Sequence, residues 1–357
     1  MQRLKFQEEN AGKIKFGTYP YTYVRTIVMR SLLLKKEDYD KLMKMSLNEI
    51  ANFLQDSEYK EEINKLAANY SGAELIERAL NKSLIRNFNK LKKISPAELN
   101  LLINAYLKRE DIFNIKTILR GKYTKTDDKE TESLLLPVGT LSQEFLFGLL
   151  KKQTIEDILK NLKIIDFRQL EKAYESFKKN NMLIEIENTL DKYYYNEVLG
   201  FLEEIPKQGK LFKEFLEAEI GILNIITMLR LKRENLSKDI IKNYLFLENM
   251  DGYSRKLLNA KDLEEFLSLL EQSKYKQLLK EAIKKVSESK SIIPVEMMLY
   301  KYLLEKSVLL QHQHPLSIDI ILGYMFAKEI EARNLRVIAK GKQLNLSNEF
   351  IESQLVI

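Results

Sequence analysis

The sequence predicts an all-α protein made of three similar helical domains. Turn-forming residues are scarce: 12 glycines and 6 prolines in 357 residues, about 5% where an average chain carries roughly 12%, too few for a sandwich or a propeller. Helix-start and helix-stop signals recur from one end to the other. A twelve-residue pattern also returns twice, at intervals of 110 residues.

Taken in order, residues 1–15 are charged throughout and lack the apolar stretch of a signal peptide. Apolar runs such as Leu32-Leu33-Leu34 and residues 220–229 fall short of the roughly 18–20 residues a membrane span needs. Ser46-Leu47-Asn48-Glu49, Ser71-Gly72-Ala73-Glu74 and Ser95-Pro96-Ala97-Glu98 each predict a capping box, in which the Ser oxygen accepts from an orphan N–H and the Glu reaches back to the cap. Pro96 suits the first helical position, where no N–H is missed. Leu47, Ile50, Phe53 and Leu54 then follow at helical spacing. Arg120-Gly121-Lys122 and Lys340-Gly341-Lys342 predict helix ends, with glycine taking the left-handed conformation and cations facing the negative end of the dipole. Pro137, Pro206, Pro294 and Pro315 predict breaks, residues 122–133 an exposed polar linker, and no segment reads as a strand.

The repeat is the most informative feature. Residues 111–122 read DIFNIKTILRGK, 221–232 read GILNIITMLRLK, and 331–342 read EARNLRVIAKGK. The first two agree at 7 of 12 positions and the first and third at 4 of 12, where chance gives roughly one. Asn114, Asn224 and Asn334 stand 110 residues apart. Earlier in each unit Leu47, Ile155 and Leu263 open similar helices, and Tyr59, Phe167 and Tyr275 follow, all spaced by 108. Between these markers lie Glu77, Glu187 and Glu296. A period this long exceeds the roughly 20–50 residues of a solenoid repeat and matches a small domain with its own core. The expected units are 1–125 with an N-terminal helix, 126–235 and 236–357, in approximate three-fold symmetry. Each repeated Asn lies among aliphatics without catalytic residue types nearby. It reads as a buried amide that fixes helix register rather than as a ligand site repeated three times. Arg120, Arg230 and Lys340 read as complements to helix C-termini.

The formal net charge of +7 is uneven: residues 1–125 carry +9, 126–235 carry −4 and the remainder +2. An acidic partner, anionic lipid or nucleic acid would suit the basic first third. The lysines, however, come singly or in pairs among acids, which is the pattern of solvated helix faces. With no Cys, disulfides, thiolate metal sites and cysteine nucleophiles are excluded. The two histidines, His312 and His314, have neither Cys nor a carboxylate cluster beside them and make a poor zinc site. Residues 12–19 (GKIKFGTY) keep the glycine spacing of a phosphate loop but place Thr and Tyr where Lys and Ser/Thr must follow. No GxGxxG is present, and no nucleic-acid-reading motif accompanies the basic residues. The expectation is a protein that is not an enzyme, with no cofactor, no metal and no nucleic-acid partner.

Three stretches carry a family resemblance: Tyr19-Pro20-Tyr21-x-Tyr23-x-Arg25; Tyr106-Leu107-Lys108-Arg109-x-Asp111-x-x-Asn114-Ile115-Lys116; and Glu331-x-x-Asn334-Leu335-Arg336-x-Ile338-x-x-Gly341-Lys342. In combination and over essentially the whole chain, they resemble the C-type rotor component of archaeal A-type and bacterial V-type rotary ATPases, the d component of the eukaryotic vacuolar ATPase. Gly221 departs from the acid found at Asp111 and Glu331. The resemblance implies an all-helical three-domain funnel, peripheral on the cytoplasmic face of the membrane. It further implies a non-catalytic rotor part that receives the central stalk, sits on the proteolipid ring, and couples ATP turnover or synthesis to proton or sodium transport, without forming a homo-oligomer. A generic all-helical scaffold for protein partners is the alternative.

Overall fold

The computed structural model describes residues 19–203, 209–246, 250–289, 291–313 and 319–357. Every regular element among the described residues is an α-helix, and none is long and apolar enough to cross a membrane. Leu47, Ile155 and Leu263 are each the first residue of a helix, Leu47–Gln55, Ile155–Lys160 and Leu263–Glu271.

Three successive pairs of long helices organise the chain: Gly72–Ile94 with Ala97–Thr124, Ile184–Glu203 with Gly209–Arg233, and Ile293–Gln313 with Asp319–Gln343. Short helices fill the intervals. After the first pair come Asp128–Ser133, Gln143–Leu150, Ile155–Lys160 and Phe167–Asn180; after the second come Lys238–Lys242, Gly252–Asn259, Leu263–Glu271 and Lys276–Ser289. Each of these groups packs on the second long helix of the pair before it. The group at the start of the chain, Lys36–Leu42, Leu47–Gln55 and Lys60–Leu66, has no such helix before it. It takes the last one instead. Tyr39, Leu42, Ile50, Leu54, Tyr59 and Ile63 share a core with Leu335, Ile338, Ala339, Ile351 and Leu355. The two ends of the chain thereby complete one unit together, while a second, larger core runs through the rest.

Several local expectations change once the helices are packed. Ser46 forms its capping box with Glu49, but Ser71 makes no side-chain cap bond. Pro96 rather than Ser95 sits at the start of the 97–124 helix, which it caps without a side-chain bond. Gly121 and Gly341 do not end helices. Just past the ends of these long helices the left-handed residues are Lys125 and Asn345, and in the middle unit Asn235. The two glycines lie inside the long helices because another helix crosses there: a Cβ on Gly121 would fall 2.4 Å from Thr131 Oγ1, and one on Gly341 2.5 Å from Ile351 Cγ1. The polar stretch 122–133 is mostly helix, ending the 97–124 helix and forming Asp128–Ser133. Asp127 caps the latter by accepting from the Lys129 N–H, a local start signal that its polar composition masks. Pro137 lies in a loop and Pro294 in the first turn of Ile293–Gln313. Pro206, Pro315, His314 and residues 12–18 lie outside the described residues, as does the side chain of His312.

Candidate functional site

The repeated Asn residues perform one task three times. Asn114 donates through Nδ2 to the Leu136 carbonyl at 2.7 Å and accepts the Leu136 N–H at 2.7 Å. Asn224 makes the same pair with Phe246, at 3.2 and 2.9 Å, and Asn334 with Val356, at 2.7 and 3.0 Å. Each clamps the backbone 22 residues ahead, where the chain leaves a short helix without a backbone ladder of its own. A buried peptide group cannot remain unpaired, and one carboxamide supplies both a donor and an acceptor.

The repeated charges also act together. Arg120 holds Glu187 with two bonds of 2.7 Å, and Arg230 holds Glu296 in the same forked way at 2.7 Å. Lys340 holds Glu77 at 2.9 Å. These cations reach across to another long helix, and Arg230 and Lys340 at the same time stand in the last turn of their own, where a cation complements the helix C-terminus. The pairs form a closed cycle: first repeat to second, second to third, third to first. Pairing with Glu187 and Glu296 raises both arginine pKa values above their ordinary range.

A third set is not evident from the repeat pattern. Arg109, Glu219 and Glu329 stand 110 residues apart and meet at one point, where helices Ala97–Thr124, Gly209–Arg233 and Asp319–Gln343 converge. Arg109 donates to Glu219 at 2.5 Å and to the Tyr106 hydroxyl at 3.0 Å, with a longer contact to Glu329 at 3.5 Å. Its guanidinium lies 4.2 Å from the Tyr106 ring centroid, so the cation is held by a π face as well as by charge. The Tyr106 hydroxyl donates to Glu329 at 3.0 Å. The other Glu329 oxygen, Oε1, is buried with no hydrogen-bond partner. Burial pushes the Glu329 carboxyl up to about 8, with Arg109 opposing and Glu110 adding to the rise. Burial likewise pushes its neighbour Glu110 up to about 7. Three identical charges at such a meeting point would repel. A single chain with unlike copies can place one arginine against two glutamates.

Next to this set the copies diverge. Asp111 accepts from the Thr140 N–H and hydroxyl at 2.8 and 2.7 Å and from the Leu141 N–H at 3.0 Å. Its counterpart Glu331 closes the seam between the chain ends. It accepts from the Leu34 N–H at 2.5 Å, the Tyr59 hydroxyl at 2.6 Å and Lys328 at 2.7 Å. Lys328 is fully buried and also pairs with Glu58; burial lowers its pKa, opposed by Glu331. Gly221 supplies no acid, and a Cβ there would meet nothing within 4 Å.

These arrangements join and brace helices. Among the described residues no three His, Cys, Asp or Glu side chains are grouped to hold a metal ion. Comparison with known proteins matches almost the whole chain. Residues 23–354 match the family described as ATP synthase (C/AC39) subunit. The chain is 37% identical over 365 residues to the C-type A-type ATP synthase component of Methanococcoides burtonii, covering 99% of each protein. To its counterpart in Methanosarcina barkeri it is 36% identical over 351 residues, covering 97% of this chain and 96% of that protein. To the one in Methanosarcina acetivorans it is 36% identical over 358 residues, covering 99% and 97%. With the match running through all three repeated Asn residues and both closing ends, the chain belongs to the ATP synthase (C/AC39) subunit family.

Proposed function

We propose that this protein is the non-catalytic rotor adaptor of an A-type or V-type ATPase. In this reading it joins the central-stalk proteins to the proteolipid ring on the cytoplasmic side of the membrane and couples ATP turnover to proton or sodium transport. Near full-length similarity to the matching component of A-type ATP synthases supports it. The observation that carries it furthest in mechanical terms is the double tie between the repeats. A cycle of three charge pairs links the long helices, and one arginine binds the three repeats where they meet. Torque passed through a protein requires that its parts not slide, and close-packed helices tied at two levels resist sliding. In the same reading the units 1–125, 126–235 and 236–357 are three copies of one domain arranged as a funnel. The Asn, Arg/Lys and Glu residues of the repeat serve as its structural joints, and the protein enters the complex as one copy without cofactor.

Reconstitution of the catalytic head and stalk with membrane sectors, with and without this chain, tests the reading. ATP-driven ion pumping is expected only when the chain is present, and the purified chain should hydrolyse no ATP. Equal pumping in both samples would refute the coupling role and leave a generic helical scaffold.

A further inference from the structure

Helix Pro20–Ser31 is turned against its own hydrophobic pattern. Its buried residues are Thr22, Thr26 and Met29. The two hydroxyls are satisfied by backbone carbonyls, Thr22 by Ile94 and Thr26 by Thr22, both at 2.7 Å. The residues that point outward are Tyr21, Val24, Ile27 and Val28, with Leu32 just beyond the helix, at 63%, 56%, 37%, 55% and 52% exposure. At about 100° per residue Tyr21, Val24, Val28 and Leu32 fall within an arc of roughly 80°, with Ile27 roughly 60° beyond its edge. Scattered apolar residues on a surface need no explanation, but a contiguous row marks a contact.

Charge identifies what the row meets. Residues 19–36 contain Arg25, Arg30, Lys35 and Lys36 and no Asp or Glu. None of the four forms a salt bridge among the described residues. Arg25, Lys35 and Lys36 are exposed along the row and at its end. A second copy of the chain on this face would bring like charges together. A protein partner is specified by directional polar contacts, about one hydrogen bond per 100–200 Å² of interface, and here Tyr21, Arg25 and Ser31 alone offer any within the row. A lipid surface needs none.

We propose that this face rests on an anionic lipid surface. Val24, Ile27, Val28 and Leu32 enter the boundary between headgroups and acyl chains, and Tyr21 lies at headgroup level. Arg25, Lys35 and Lys36 meet lipid phosphates. The physics is that of an interfacial amphipathic helix, whose affinity combines buried apolar area with attraction to anionic headgroups. In this case the inner face is occupied by protein, through Thr22 and Thr26. The proposal does not depend on the rotor assignment.

Sedimentation of the full chain with vesicles tests it. The chain should bind phosphatidylcholine vesicles containing about one third phosphatidylglycerol, and bind neutral vesicles roughly tenfold or more weakly. Val24→Glu with Val28→Glu should lose that binding at an unchanged melting temperature, and Arg25→Gln with Lys35→Gln and Lys36→Gln should reduce it and its salt dependence. Equal affinity for neutral and anionic vesicles overturns the proposal. A lowered melting temperature in the Val24→Glu/Val28→Glu variant also overturns it, because the row would then be covered by the chain itself. Absence of vesicle binding, together with loss of that variant from the assembled ATPase, assigns the face to a protein partner. A concentration-dependent dimer abolished by the same variant assigns it to a second copy.

Discussion

Replacing Asn114 with Leu isolates one of the clamps. The two side chains have nearly the same branched shape, so the change leaves little cavity and removes only the carboxamide. What remains is the Leu136 N–H and C=O, each of which Asn114 engages at 2.7 Å. Both residues are buried, Asn114 at 0% exposure and Leu136 at 5%, so water cannot replace the lost bonds without opening the core. Leaving a buried donor or acceptor unsatisfied costs about 1–3 kcal/mol each. Two groups therefore cost about 2–5 kcal/mol after the small gain from burying a leucine. At ~2.1 cal/mol/K per residue over this length, a cooperative transition shifts by roughly 1.3 °C per kcal/mol, so the melting temperature should fall by about 3–7 °C. The middle clamp is looser, at 3.2 and 2.9 Å on a half-buried Phe246, and Asn224→Leu should cost about half as much. Scanning calorimetry of the two variants beside the parent decides the matter. An Asn114→Leu protein melting within about 1 °C of the parent, or an Asn224→Leu protein harmed more, would refute the assignment of these amides to backbone clamping.

The cycle of charge pairs should show a gradient set by the acid left behind. Removal of Arg230 strands Glu296, 7% exposed, whereas removal of Arg120 strands Glu187 at 14% and removal of Lys340 strands Glu77 at 22%. Denaturant midpoints for the alanine variants should follow that order, with Lys340→Ala below about 1 kcal/mol, and the reverse order would contradict the cycle. Glycine substitutions should split by the space around them. A Cβ on Gly139 lands 2.1 Å from Asp111 Oδ1, so Gly139→Ala should destabilise by several kcal/mol, on the order of a disrupted buried network. Gly221, within a helix and with nothing near, should gain about 0.5–1 kcal/mol as Ala; equal effects on thermal stability would exclude this account. Finally, Glu329 and Glu110 carry folded-state pKa values of about 8 and about 7, raised chiefly by burial, so the folded state binds more protons than the unfolded one at neutral pH. Stability is then full at low pH and is lost as pH rises through the folded values, by up to about 1.4 kcal/mol per pH unit for one proton. Melting followed from pH 6 to 9 should decline, and Glu329→Gln should flatten the decline; an identical slope in that variant would remove Glu329 as its source.

Helical class and the 110-residue period were readable because both are written locally. Scarce glycine and proline, helical spacing of apolar residues and the return of Asn at a fixed interval need no knowledge of what packs where. The Asn residues could be matched because the three copies need the same group for the same local task. Gly121 and Gly341 misled for the opposite reason. A glycine between cations looks the same whether it ends a helix or admits a neighbour, and only the approach of Thr131 and Ile351 separates the two. The charge cycle required knowing which helices adjoin, since Arg120 and Glu187 are 67 residues apart and nothing local links them. The central meeting of Arg109, Glu219 and Glu329 was hidden because the first copy carries an arginine where the other two carry glutamates. Three like charges cannot converge on one point, so at least one copy has to depart from the pattern where the copies touch. Periodicity likewise reveals that helix Pro20–Ser31 has two faces without saying which is turned inward. That choice belongs to tertiary packing, which supplied the Ile94 carbonyl to Thr22 and left Val24 and Val28 outside.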